Sequence, residues 1–317
     1  MVTTEQSIIK ALAYFNIFNY PLRKDEIYNF LDKDCDRSSF EKCLNSLCGK
    51  GIIYRVEEFY SLQRDRSLAV RRITGGKMAA EHLKIAGKIS RFLYSFPFVK
   101  GIAVSGSLSK DFADKESDID YFIITKANRL WLARTLMHLF KKITYLTGRQ
   151  HWFCMNYFID ELAFEIKEKN VYTAIEVMTV LPLQGNGVFK DFFAANKWTR
   201  TFFPVSQPRV QATPHLSPRT LKKMVEKLFD GTIGDKLNRW LMQITIKRWK
   251  KKAREQQRSY RGELMALDAG LHYAKPDPVN FQNRILYRYG KEAEAFMMRL
   301  ENVQAVAAAP VTSFVMK

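Results

Sequence analysis

The 317-residue chain is poor in the residues that build thiolate and disulfide frameworks, with four cysteines and five histidines. Cys35, Cys43, Cys48 and Cys154 form no C-x-x-C pair, and no histidine ladder stands near them. That spacing excludes the usual zinc sites and leaves reduced, mostly buried thiols as the simpler reading. Long apolar runs are missing as well. The opening MVTTEQSIIK has neither the basic segment nor the apolar stretch of a signal peptide, and the most apolar later segment, RLWLARTLMHLFKKITYL, is broken by Arg, Lys and His. A cytoplasmic protein with no membrane partner is therefore expected. Internal repeats and low-complexity tracts are absent too, which removes solenoids and linker arrays.

Acidic charge is scarce, with 32 Asp and Glu against 51 Lys and Arg, for a net +19. Such a field attracts polyanions: nucleotides, RNA or acidic protein surfaces. The excess is uneven. Residues 1–65 hold nine basic and ten acidic side chains, a net of −1, so residues 66–317 carry +20.

What is present divides the chain into three expected parts. Residues 1–65 predict three helices followed by a small hairpin, the order of a winged helix-turn-helix. The first helix carries Ile8, Ile9, Leu12, Ala13 and Phe15 in helical period and stops at Pro21; the third is capped by Ser38 or Ser39 and stops at Gly49 or Gly51. A winged helix that enters a DNA groove needs a basic footprint, and this segment is close to neutral, so DNA binding is disfavoured against protein docking. Residues 66–205 read helix, strand, loop, strand, helix, strand, an α/β (α+β) core with a mixed sheet. Proline-rich residues 204–218 mark a linker, and residues 206–317 are expected to form a helical C-terminal domain. Within it, the basic run from Lys247 to Arg261, with Trp249 and Tyr260, offers either a solvated helix face or a nucleic-acid surface.

The chemistry is concentrated in GIAVSGSLSKDFADKESDIDYFIIT, residues 101–125. Gly106 and Ser107 end an apolar strand and leave bare backbone amides and a hydroxyl, groups that approach phosphate oxygens closely. Asp118 and Asp120 stand one residue apart at the head of the next apolar run, so alternation would project both carboxylates from one face. Two such carboxylates hold divalent cations against phosphates, as phosphoryl and nucleotidyl transfer require. Ser109 and Lys110 are secondary candidates for phosphate contacts.

AVSGS, a ten-residue spacer and DIDYFII together resemble the signature of the nucleotidyltransferases of the DNA polymerase beta superfamily. With RLWLARTL, NYFIDE and YTAIEV, the whole chain looks similar to a bacterial group that joins a winged-helix N-terminus to this core. The resemblance implies that Gly106 and Ser107 bind the phosphates of an NTP such as ATP, and that Asp118 and Asp120 are catalytic and ligate Mg²⁺ or Mn²⁺. A nucleoside monophosphate would pass to an acceptor hydroxyl or phosphate, on a small molecule, an RNA or a protein, with release of pyrophosphate. The superfamily usually adds a third carboxylate on a later strand. Here the central position of WFCMNYFID is Asn156, while Asp160 shares its strand parity and Glu165 lies on the following run. The alternative is a catalytically weak or inactive nucleotide-binding regulator whose winged helix docks DNA or a protein.

Overall fold

The computed structural model describes residues 3–144, 150–209, 220–256 and 264–308. Its contacts divide the chain into two compact units, one of residues 1–72, 200–206 and 282–317, the other of residues 73–199 and 207–281. The C-terminal third is thus shared between the units, a division that does not coincide with a boundary at residue 206.

The first unit runs α1 (Thr4–Asn16), β1 (Leu22–Arg23), α2 (Lys24–Asn29), α3 (Arg37–Gly49), β2 (Tyr54–Val56) and β3 (Phe59–Ser61). A capping box opens α1: the Thr3 hydroxyl accepts from the Gln6 amide at 3.1 Å, and the Gln6 side chain accepts from the Thr3 amide at 2.9 Å. Asp36, not Ser38 or Ser39, caps α3, accepting from the Ser39 amide at 2.9 Å. Asp36 stands one residue ahead of the helix, where a side-chain oxygen reaches the free amides of the first turn, whereas Ser38 and Ser39 already lie inside it. The three short strands pair antiparallel in the order β1-β3-β2. Ile8, Ile9, Leu12, Phe40, Leu44 and Phe59 are buried here, each stabilising by about 1.5–3 kcal/mol through area removed from water. Asn16 donates to Glu292 at 2.9 Å and Tyr14 packs on Tyr289, which brings α10 (Phe281–Ala308) into the same unit.

The second unit is built on a six-stranded sheet in the order β7-β4-β5-β6-β9-β8. Its strands are β4 (Val99–Val104), β5 (Asp120–Thr125), β6 (Cys154–Asp160), β7 (Leu181–Gln184), β8 (Met265–Ala269) and β9 (Tyr273–Pro278). Only β5 and β6 run parallel, and α5 (Leu130–Thr144) supplies the crossover that a parallel pair needs. The sheet is therefore mixed, as the sequence predicts. One face packs Ile102, Val104, Tyr121, Ile123, Met155 and Phe158 into a core. The other packs Ala103, Phe122, Ile124 and Ile159 against residues of α6 (Val171–Thr179) and α7 (Asn186–Ala195). Burial on both faces explains why β5 reads as a continuous apolar run.

Beyond residue 219 come α8 (Thr220–Leu228) and α9 (Thr232–Arg254), then β8 and β9 within the stretch read as helical. Their hairpin carries Pro276 and Pro278 and several polar residues, a composition that hides strand periodicity; the antiparallel pairing to β6 supplies what local propensity does not. Positions 210–218 of the proline-rich segment, and Arg258, Tyr260 and Arg261 of the basic run, lie outside the described residues. Among the described residues, no helix is long and apolar enough to cross a membrane.

Candidate functional site

The site begins where β4 ends at Val104. The Ser105 amide donates to the Asp120 carbonyl at 3.0 Å, tying the strand end to the head of β5. Gly106 follows with φ +69°, and a Cβ there would stand 2.9 Å from Asp120 Oδ2. Both facts require glycine: the left-handed backbone penalises other residues, and the carboxylate occupies the space a side chain would need. Ser107 is exposed and opens a short 3-10 turn, Leu108–Lys110. Two side chains of that turn fold back on the glycine. Ser109, fully buried, donates to the Gly106 carbonyl at 2.8 Å, and Lys110 Nζ donates to the same oxygen at 3.0 Å. Lys110 also pairs with Glu176 of α6 at 2.8 Å.

Asp120 is the first residue of β5, whereas Asp118 lies in the preceding loop rather than in the strand. Both are half-buried and flank Ile119, which is fully buried. Ile119 turns into the core and Asp120 toward Gly106, which is the alternation the spacing implied for that step.

Asn156 is brought directly to Asp120: its Nδ2 donates to Asp120 Oδ1 at 2.6 Å. The strand register explains how. Tyr121 pairs with Met155 but Phe122 pairs with Tyr157, so Asn156 is the extra residue of a β-bulge, a device common beside functional sites because it re-aims a side chain. Asn156, one of the positions the sequence reading weighed for a third carboxylate, thus stands against Asp120.

The same bulge overturns the expectation that Asp160 shares the face of Asn156. An extra residue reverses the alternation beyond it. Asp160 also pairs with Thr125 at the far end of β5, five residues from Asp120, which is about 16 Å along a strand. It is fully buried and accepts from the amides of Asn128 at 2.9 Å and Leu162 at 3.0 Å, with His272 Nδ1 at 2.9 Å. Asp160 is a junction joining loops to the sheet, not a member of the site. Glu165 is exposed and paired with Lys169 at 2.6 Å.

Cys154 lies beside the bulge, donating to Asn156 Oδ1 at 3.1 Å. Burial, followed by the charge of Asp120, pushes its thiol up to about 12. Tyr121 faces the opposite core and its phenol is pushed well up by burial alone, so it offers nothing to a nucleotide. His138 is half-buried on α5, and desolvation, then Arg134, holds its imidazole well below the usual value.

Gly106, Asp120 and Asn156 open onto a cavity of about 180 Å³ walled by Tyr157, Tyr172 and Glu176, with Lys275 of β9 at its edge. The sequence reading missed Tyr172, Thr173, Glu176 and Lys275. A signal for the first three existed: Tyr172, Thr173, Glu176 and Val177 recur at helical spacing and form one face of α6 toward the cavity. Lys275 had none, because its strand was not foreseen.

No cluster of three or more His, Cys, Asp or Glu able to hold a metal exists among the described residues. The donor set is instead the Asp120 carboxylate beside a bare glycine turn, with Asp118 two residues before it in the chain. It fits a hard cation such as Mg²⁺, which takes one or two carboxylates and completes its shell with substrate phosphates, and it does not fit a closed all-protein metal cage.

Residues 84–184 match the family model of the nucleotidyltransferase domain. The matched span runs from within α4 (Arg66–Tyr94) to the end of β7 and holds the glycine turn, both aspartates, Asn156 and Glu176. Neither curated proteins nor solved structures give a match to the chain. This stretch of the second unit is accordingly a nucleotidyltransferase domain of the polymerase beta-like superfamily.

Proposed function

We propose that the protein is an Mg²⁺- or Mn²⁺-dependent nucleotidyltransferase that moves a nucleoside monophosphate from an NTP, with ATP the first candidate, to an acceptor hydroxyl or phosphate. The observation that carries this reading is the close approach of the Gly106 turn to Asp120, a Cβ on the glycine standing 2.9 Å from Asp120 Oδ2, so that bare backbone and a carboxylate adjoin at the same cavity. Asp118 and Asp120 would hold the divalent ion, whose charge would offset that of the phosphates and of the departing pyrophosphate. Gly106 and Ser107 would place the phosphates with backbone amides and a hydroxyl. The acceptor oxygen would form its bond to the α-phosphorus as the bond to pyrophosphate breaks, and its proton would leave to a nearby base or solvent. The cavity beside Asp120 gives the acceptor or the base of the nucleotide a partly dry place to lie, where alignment counts for most.

For the first unit we propose a winged helix that docks a protein partner, since its helix and strand order fits that module while its charge, net −1 over residues 1–65, leaves little to neutralise phosphates. A bacterial, cytoplasmic setting belongs to the same proposal.

Asn156 favours a second reading. Its amide takes up one oxygen of Asp120 and brings no proton acceptor of its own, which suits a nucleotide-binding regulator that turns over slowly or not at all. The test is incubation with each of the four α-labelled NTPs, Mg²⁺ or Mn²⁺ and acceptor pools of small molecules, RNA and protein. Transfer of label by the wild type and not by Asp120→Asn supports the transferase. Binding without transfer supports the regulator, and neither binding nor transfer removes both.

A further inference from the structure

We infer that the phosphate-binding turn is held closed by an internal stand-in: Glu176 occupies Lys110 in the free protein, and nucleotide phosphates must take Lys110 away from it. This rests on the nucleotide reading above.

Lys110 is the cation nearest in chain to Gly106 and Ser107, yet it points back into the molecule. Its Nζ meets the Gly106 carbonyl at 3.0 Å and Glu176 at 2.8 Å, and both side chains of the pair are largely withdrawn from water, 14% and 28% exposed. A carboxylate at that place mimics a phosphate oxygen. It neutralises the one lysine of the turn and puts a negative charge on the wall of the cavity that Asp120 enters. An incoming triphosphate therefore meets a competitor as well as a ligand.

A second feature points to what happens when the pair opens. Thr173, one helical turn before Glu176 on α6, lines the same cavity, is 8% exposed, and its buried hydroxyl has no hydrogen-bond partner among the described residues. A buried hydroxyl that no protein group engages is open to a polar molecule in the cavity. Release of Glu176 from Lys110 leaves a carboxylate and a hydroxyl on one face of α6, directed at whatever polar molecule shares the cavity with the nucleotide. The pair thus orders the two ligands: phosphates first, at the turn, and the second molecule afterwards, at Glu176 and Thr173.

The experiment is a calorimetric titration of the full-length protein with ATP in Mg²⁺, and separately with inorganic tripolyphosphate, for wild type, Glu176→Gln, Lys110→Met and the double variant, with melting temperatures recorded for each. Glu176→Gln should bind both ligands about three- to tenfold more tightly, the range a partly buried ion pair commands. Lys110→Met should bind more weakly than wild type, and adding Glu176→Gln to it should bring no gain. A purely structural bridge would lower the melting temperature of Glu176→Gln while leaving affinity unchanged, and that result, or weaker binding by Glu176→Gln, overturns the inference. If no form binds either ligand, the nucleotide reading itself falls; if wild type binds and Glu176→Gln gains nothing, only the closed turn falls.

Discussion

Replacing Asn156 by aspartate sets the charge balance of the site against itself. The amide now donates to Asp120 Oδ1 at 2.6 Å; Asn156→Asp puts a second carboxylate at that distance. Two unit charges about 4 Å apart repel by about 4 kcal/mol at an effective dielectric constant near 20, and the lost hydrogen bond adds to this. Rearrangement and proton uptake soften the penalty to about 2–4 kcal/mol in the absence of metal. Because 1 kcal/mol moves the melting point of a domain of this size by about 2–4 °C, the variant should melt about 4–16 °C lower at pH 8 in EDTA. The sign with pH follows from linkage. One carboxyl of the pair has its folded pKa raised above its unfolded value, so the penalty is complete above the folded pKa and vanishes as pH falls below the unfolded one. Variant and wild type should therefore converge toward pH 4. Mg²⁺ at pH 8 should restore most of the lost stability and should stabilise the variant more than the wild type, since three carboxylates bind the ion better than two. Melting followed by circular dichroism, across pH 4–8 with EDTA or Mg²⁺, reads all of this. A variant as stable as wild type in EDTA at pH 8, and indifferent to Mg²⁺, would refute the placement of Asn156 against Asp120.

Asp118→Asn should leave the apo melting temperature unchanged or slightly raised while weakening ATP binding in Mg²⁺ by about tenfold or more; a large loss of apo stability would make Asp118 a structural hub instead. Gly106→Ala should cost about 1–3 kcal/mol and abolish nucleotide binding, because the residue holds φ +69° and its new Cβ would stand 2.9 Å from Asp120 Oδ2; chemical denaturation and titration check both halves. Asp160→Ala should destabilise by about 3 kcal/mol or more without changing ATP affinity in the folded fraction, since it strips two amides and His272 of their buried partner. Cys154, half-buried and with its thiol pushed up to about 12, should react slowly with iodoacetamide at pH 8 until the protein is unfolded; rapid alkylation in the native state would contradict the raised thiol.

The Gly-Ser turn and the aspartate pair were legible because their signal is local: a glycine that ends an apolar strand, and two acids spaced around an isoleucine that is fully buried. Helix α1 was legible for the same reason, its apolar positions recurring within one element. Asp160 was misassigned because strand parity presumes regular pairing, and the bulge at Asn156 is a property of two strands in register, not of either sequence. The hairpin β8–β9 escaped because proline and polar residues conceal its period, and its pairing with β6 joins residues more than a hundred positions apart. Glu176 escaped for a third reason. The helical spacing of Tyr172, Thr173, Glu176 and Val177 marks a face, but spacing does not tell what that face covers, because the cavity against Asp120 is made by packing between distant segments.

The central claim is that Asp118, Asp120 and the Gly106 turn form one metal-dependent nucleotide site. Calorimetric titration of wild type and Asp120→Asn with ATP, in Mg²⁺ and in EDTA, tests it most directly. The account predicts binding by wild type in Mg²⁺ only, and its loss in Asp120→Asn at an unchanged melting temperature. Binding that survives EDTA or the Asp120 substitution, or no binding of any NTP by the wild type, would contradict it.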